Sequence, residues 1–107
     1  MIKQNIIHYN DKGETHRCFE EYYHNGNISR KGEYINGNRN GLWERYYKNG
    51  NLNYSGCYKN ALPSGLWIGY NHDGTLNYKG IFVNGKRFGL WESTTEINIK
   101  QIEYCII

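Results

Sequence analysis

Apolar and polar residues alternate along much of the chain, and short turn sequences rich in Asn and Gly interrupt the alternation at regular intervals. Alternation with a period of two residues is typical of β-strands, because successive side chains point to opposite faces of a sheet. No segment shows the period of about 3.6 residues that marks an amphipathic helix. The pattern therefore predicts an all-β protein.

The turn sequences recur every 24 residues and divide the chain into repeats. Gly-Leu-Trp stands at residues 41–43, 65–67 and 89–91, and Asn-Gly or Asp-Gly at 25–26, 49–50 and 73–74. Asn-Gly and Asp-Gly between alternating segments predict a β-hairpin with a two-residue type I′ turn, because both central residues of that turn need positive φ. Each repeat is therefore predicted to contain one hairpin.

A two-residue turn also fixes which residues face each other across the hairpin. The predicted register places a large ring opposite a glycine in each repeat, pairing Phe19 with Gly32, Trp43 with Gly56, and Trp67 with Gly80. It also places Tyr47 opposite Leu52 and Glu21 opposite Arg30. Because a ring can cover the bare backbone at a strand glycine, we expect these rings to form the core.

These elements predict an all-β fold, a single curved antiparallel meander sheet of tandem β-hairpins with about eight to nine strands. The whole chain, 1–107, is predicted to be one repeat domain. It divides into a degenerate N-terminal repeat over about 1–24, clear repeats over about 25–95 and a C-terminal capping strand over about 97–107. Atypical terminal repeats are expected, since they cap such arrays.

The composition narrows the class of protein further. The 11 Tyr, 3 Trp and 3 Phe give this short chain the large side chains that its core needs. The net charge of +3 is mild for a nucleic-acid-binding protein. Three widely spaced cysteines, Cys18, Cys57 and Cys105, do not suggest a disulfide framework. Neither a signal peptide nor a membrane span is evident, so we expect a cytoplasmic location.

The residues that could support catalysis or bind metal do not converge. His24 and His72 flank turns, where polar residues are expected, and no set of metal ligands has suitable spacing. Cys18 and His16 lie two residues apart on one predicted strand, but no third group is placed to orient the histidine. The sequence therefore predicts a protein that is not an enzyme and has no metal or cofactor.

Basic and tyrosine side chains are the candidates for binding a partner. Arg39, Lys86 and Arg87 belong to the same inter-strand loop of different repeats, so they could share one rim of the sheet. Such side chains can bind either an acidic protein surface or a nucleic-acid backbone. The predicted partner-binding residues are Arg39, Arg45, Tyr46, Tyr70, Lys86 and Arg87.

Residues 46–52, followed by Gly56, Tyr58 and the Gly-Leu-Trp of 65–67, resemble the MORN repeat and most closely its bacterial variant. The resemblance covers roughly residues 17–93. It implies an elongated sheet of hairpins used for protein interaction, for scaffolding or for contact with phospholipids. Residues 61–64 depart from the pattern, which puts in doubt any role that needs identical loops.

The leading functional hypothesis is a non-catalytic module that docks a partner protein through a Tyr- and Trp-rich face and basic loops. An analogy of size and composition, with the chain taken as a complete small protein, suggests an alternative. In this alternative the protein is a phage or mobile-element inhibitor of the anti-CRISPR type that blocks an RNA-guided nuclease complex in bacterial defence. A module that binds RNA or anionic lipid is a third hypothesis, and a homodimer is a further arrangement.

Overall fold

The computed structural model describes residues 3–93, which form one open antiparallel sheet whose seven strands follow each other in chain order. The strands are β1 (Arg17–Tyr22), β2 (Ile28–Ile35), β3 (Asn38–Tyr46), β4 (Leu52–Lys59), β5 (Leu62–Tyr70), β6 (Leu76–Val83) and β7 (Lys86–Ser93). The predicted all-β meander is confirmed.

The expected count of eight to nine strands is wrong, because the described residues contain seven. The N-terminal segment pairs with β1 through one isolated bridge, from Ile6 to Glu20, and a second bridge within the segment joins Tyr9 to Thr15. The side chain of Asn10 folds the chain back at once, since its Oδ1 accepts the backbone N–H of Glu14 at 2.9 Å. No continuous strand forms there. The predicted capping strand over about 97–107 lies outside the described residues.

Two-residue turns connect β2 to β3, β4 to β5 and β6 to β7. In the first of them, Asn36 and Gly37 have φ values of 48° and 83°. The second and third have the same geometry, at Asn60 with Ala61 and at Asn84 with Gly85. Positive φ at both central residues is the signature of the type I′ hairpin turn. The three type I′ turns therefore lie at the same end of the strands.

The type I′ turns predicted at the other Asn-Gly and Asp-Gly sites are wrong. In the second of these sites Gly50 has a φ of 96°, and its N–H donates to the carbonyl of Tyr47 at 2.9 Å. The N–H of Tyr47 in turn donates to the carbonyl of Asn51 at 2.7 Å. This is a longer loop with a single left-handed residue, a type I turn followed by a glycine bulge. The register shifts, so that Leu52 pairs with Tyr46 and not with Tyr47.

Hydrogen bonds connect turns to a neighbouring repeat at both ends of the strands. On the type I′ side, the N–H of Gly37 donates to the carbonyl of Thr15 at 2.7 Å, and Ala61 and Gly85 make the equivalent bonds. On the other side, the Tyr47 hydroxyl donates to the carbonyl of Tyr70 at 2.7 Å. Successive hairpins are therefore joined by more than the strand ladder alone.

The predicted pairs of rings and glycines are confirmed in the register, which matches Phe19 with Gly32, Trp43 with Gly56, and Trp67 with Gly80. The rings, however, cover the glycines of the preceding strands, so a Cβ at Gly32, Gly56 or Gly80 would collide with Trp43, Trp67 or Trp91 respectively. The indole N–H explains this direction. In Trp43 it donates to the carbonyl of Glu33, on the preceding strand, at 3.0 Å.

The core of this single-layer sheet is mainly a row of rings on one side, and on the other side Ile81 is 3% exposed. Trp43 is 2% exposed, and Phe19 and Trp67 are each 7% exposed. Edge-to-face contacts connect them along the sheet, for example from Trp43 through Tyr58 to Trp67. We call this side the aromatic face, and its rings are Phe19, Tyr34, Trp43, Tyr54, Tyr58, Trp67, Tyr78, Phe82 and Trp91. Rings packed on rings and on bare backbone take the place of a second layer.

Candidate binding surface

Arg39 lies on the aromatic face and packs between two rings. Its guanidinium carbon is 4.9 Å from the ring centroid of Trp43 and 5.4 Å from that of Tyr58. One of its nitrogens, Nη1, donates to the Tyr58 hydroxyl at 3.1 Å. Burial lowers the pKa of Arg39, but hydrogen bonds to Tyr34 and Tyr58 outweigh it and raise the pKa above its ordinary value. The charge is therefore permanent, and its position is fixed by packing.

Arg87 occupies the same repeat position on β7 that Arg39 occupies on β3. Its guanidinium carbon is 4.5 Å from the Trp91 ring centroid, although the residue as a whole is exposed. The intermediate repeat has Pro63 at this position. Four strand spacings separate β3 from β7, which is roughly 19 Å. The two arginines therefore stand apart on one rim of the face.

Arg30 and Arg45 form the opposite rim, where they are direct Cα partners on β2 and β3. Arg30 lies 5.1 Å from the Phe19 ring centroid, and its Nε is 3.1 Å from Oε1 of Glu21, a pair predicted from the sequence. Arg45 is exposed, and no hydrogen bond or ion pair with another residue of the described range engages it. Arg45 is therefore a cation available to a partner.

Cations are divided unequally between the two sides of the sheet. The aromatic face has the arginines Arg30, Arg39, Arg45 and Arg87, and strand alternation places one acidic residue there, Glu21. The opposite side, which we call the leucine face, has balanced strand charges. Its charged strand residues are Lys31, Lys59, Lys79 and Lys86 with Glu20, Glu33, Glu44 and Glu92. Within the strands, the excess positive charge thus lies on the aromatic face.

The predicted partner-binding residues divide between these two sides. Arg39, Arg45 and Arg87 are on the aromatic face, whereas Tyr46, Tyr70 and Lys86 are on the leucine face. The Tyr46 hydroxyl donates to Oε2 of Glu44 at 3.1 Å, and burial together with the Glu44 charge raises the pKa of Tyr46. The structure therefore does not bring the six residues into one site.

The leucine face has apolar surface that the list of predicted site residues did not include. Leu42, Leu66 and Leu90 are 55%, 40% and 53% exposed. Their recurrence at a spacing of 24 residues was the sequence signal that could have identified them. Beside Leu42, a shallow cavity of about 230 Å³ is lined by Cys18, Glu20 and Lys31, among others.

Other chemistry has little geometric support in the described range. Among residues 3–93, no three His, Cys, Asp or Glu side chains are grouped so that they could hold a metal ion. The same range contains no helix that is long and apolar enough to cross a membrane. Cys18 is exposed and free, and His16 uses its Nδ1 to accept the backbone N–H of Asn36 at 3.1 Å.

The fold and its surfaces define a tandem β-hairpin repeat protein with an aromatic core on one side of an open sheet. Residues 18–36 and 39–60 match the family described as MORN repeat variant, so residues 18–60 contain repeats of this family. Such repeats are generally modules that bind proteins or lipids and are typically not catalytic. No curated protein and no solved structure matches the chain.

Proposed function

We propose that this protein is a non-catalytic docking module that binds an acidic surface of a partner protein through the arginines of its aromatic face. The proposal rests on one observation, the placement of Arg30, Arg39, Arg45 and Arg87 on the same side of the sheet. The opposite side has lysines balanced by glutamates. A face with four arginines and one acidic residue attracts carboxylates and repels other basic surfaces.

Arginine is suited to this role because its planar guanidinium can donate two parallel hydrogen bonds to one carboxylate. Three of the four arginines already lie against rings, at 4.5–5.1 Å from the nearest centroid. Their side chains therefore lose less conformational freedom when a partner binds than free surface side chains would.

A protein partner fits better than single-stranded RNA, because RNA binding of this kind uses free rings on which bases stack. The central rings of the aromatic face, Phe19, Trp43 and Trp67, are at most 7% exposed. Anionic lipid remains an alternative that shares the requirement for positive charge. The arginines of the aromatic face favour acidic partners as a class. They do not favour any one acidic partner, such as a defence nuclease complex.

The test compares two triple variants that lower the net charge equally. One is Arg39→Gln, Arg45→Gln and Arg87→Gln on the aromatic face, and its control is Lys59→Gln, Lys79→Gln and Lys86→Gln on the leucine face. Circular dichroism first confirms that both variants are folded. Each is then used for affinity capture with quantitative mass spectrometry, with and without nuclease treatment, and in sedimentation with phosphatidylserine vesicles.

We expect the lysine variant to retain the same captured protein and the arginine variant to lose it, with nuclease making no difference. Capture that survives in the arginine variant would overturn the proposal. Loss of capture after nuclease treatment would replace it with nucleic-acid binding. Arginine-dependent sedimentation with vesicles, without a captured protein, would replace it with lipid binding.

A further inference from the structure

The leucine face is the side of the sheet where large apolar side chains remain uncovered. Leu42, Leu66 and Leu90 lie in the strand bulges that follow Gly41, Gly65 and Gly89, and they project from three alternate strands. Leu62 and Phe88, on the same side, are 50% and 38% exposed. This contrasts with the aromatic face, whose central rings cover each other. The leucines form a row across the strands, which we call the leucine row.

Two strips of residues flank the leucine row. The first strip consists of successive Cα partners, namely Glu20, Lys31, Glu44, Ser55, Ile68, Lys79 and Glu92. The second strip lies near the type I′ turns. It contains Lys59 and Lys86, together with apolar side chains such as Leu62 and Val83 and with amide side chains. The first strip thus has three glutamates and two lysines, whereas the second has lysines and no acidic residue. Glu33 lies between the two strips, in line with the leucine row.

We infer that the leucine face binds a second copy of this chain, through a two-fold axis that runs along the leucine row. This axis exchanges the two strips, so Glu44 and Glu92 of one copy face the strip of Lys59 and Lys86 in the other. It also brings the leucine rows of the two copies together. The charges of the two strips and the apolar contact therefore favour the same arrangement, and they oppose the repulsion of the two Glu33 side chains near the axis.

The alternative two-fold axis, parallel to the strands, is disfavoured by the same charges. It would place the first strip of one protein copy against the first strip of the other copy in reverse order. Glu20 would then lie near Glu92, and Lys31 near Lys79. Like charges across an interface are destabilising. The size of the face is sufficient, since seven strands about 4.8 Å apart, each of up to nine residues at about 3.3 Å, give roughly 29 by 28 Å, close to the 800 Å² or so per partner that a stable interface needs. Such a dimer leaves the arginines of both aromatic faces pointing outwards.

Sedimentation equilibrium and light scattering over a range of concentrations test this inference on the full chain. We expect the wild type to show twice the mass of one chain, and Leu42→Glu with Leu66→Glu to dissociate the dimer at least about tenfold more readily. Leu66→Glu with Leu90→Glu is a second variant with the same expectation. The matched control is Ile7→Glu, because Ile7 is 38% exposed but lies outside the sheet, and we expect it to remain dimeric.

Charge reversal tests the orientation of the dimer. Glu44→Lys with Glu92→Lys, or Lys59→Glu with Lys86→Glu, should each weaken the dimer, and the combination of all four changes should restore it. A wild type that stays monomeric would overturn the inference, as would leucine variants that remain dimeric. A dimer that the leucine variants disrupt but charge reversal leaves unchanged would overturn the proposed axis.

Discussion

A left-handed backbone is required at the start of each strand bulge, and the sequence meets this requirement unevenly. Gly65 and its equivalents have φ values of 71–73°, but Arg17, at the same repeat position, has a φ of 70°. A residue with a Cβ is strained there by about 1–2 kcal/mol. Replacement by glycine relieves this strain, but the greater conformational freedom of glycine in the unfolded chain offsets part of the stabilisation. We therefore expect Arg17→Gly to raise the free energy of unfolding by about 1 kcal/mol, measured by urea denaturation.

Ala61 provides a second test of the same argument, since its φ of 69° falls where other type I′ turns have glycine. Ala61→Gly should therefore stabilise the protein to a similar degree, while Gly65→Ala should destabilise it. Asn60→Gly is the control, because Asn tolerates its φ of 51°. A loss of stability in both Arg17→Gly and Ala61→Gly would contradict the strain argument.

The glycines beneath the tryptophans cannot be replaced by larger residues, for a reason other than backbone conformation. Gly56 has no unusual φ, but a Cβ there would collide with the ring of Trp67. Because Trp67 is packed by Tyr54 and Tyr58 and hydrogen-bonded to the carbonyl of Cys57, its ring cannot move away without loss. We expect Gly56→Ala to cost about 2–3 kcal/mol of unfolding free energy, measured by tryptophan fluorescence in urea.

The control for this change is the neighbouring Cys57→Ala, since Cys57 is exposed on the leucine face. That variant should unfold within about 0.5 kcal/mol of the wild type. If Gly56→Ala were equally harmless, the ring would not be confined over the glycine in solution.

At the scale of the hairpin, the sequence predicted the strand pairing correctly but not the turns. The pairing of Trp43 with Gly56 follows from alternation and an approximate turn position, so it survived an error in the loop. Asn-Gly suits both a type I′ turn and a longer loop with a glycine bulge, so the dipeptide at residues 49–50 could not distinguish them. The structure also contains bonds between repeats, such as that from Tyr47 to Tyr70, which the dipeptide does not predict.

These bonds give a prediction at the scale of the repeat. Tyr47→Phe removes the donor to the Tyr70 carbonyl at 2.7 Å and leaves the ring in place. We expect a loss of about 1 kcal/mol in the free energy of unfolding. Tyr9→Phe is the matched control, because Tyr9 is 63% exposed. Equal stability of the two variants would show that the bond between repeats contributes nothing measurable.

At the scale of the whole molecule, one face of the sheet serves as the core and leaves the other face uncovered. The sequence predicted the aromatic face, because the rings fall on one parity of the strands. It could not predict that these rings would be too well covered to serve as a contact surface. Their burial depends on the tilt of Trp43 and Trp67 toward the preceding strands. The predicted binding residues divide between two faces because neighbours in a strand, such as Arg45 and Tyr46, point to opposite sides.

The repeat length offers the most direct test of the whole architecture. Excision of residues 41–64, which removes 24 residues, joins Asn40 to Gly65 and restores the Gly-Leu-Trp sequence. Trp67 should then lie over Gly32 as Trp43 does, giving a sheet with two fewer strands. Since a repeat array is stabilised mainly by contacts between neighbouring units, unfolding should remain cooperative at a lower urea midpoint.

Excision of residues 41–63 is the matched control, because it leaves a single extra residue, Ser64, before the glycine. A shift of one residue moves every following side chain to the opposite face of a strand. Trp67 would then point away from Gly32, and we expect this variant to lose cooperative unfolding by circular dichroism. If both excisions folded equally well, the tryptophan–glycine register would not determine the fold. Loss of structure in both would mean that the hairpins do not act as interchangeable units.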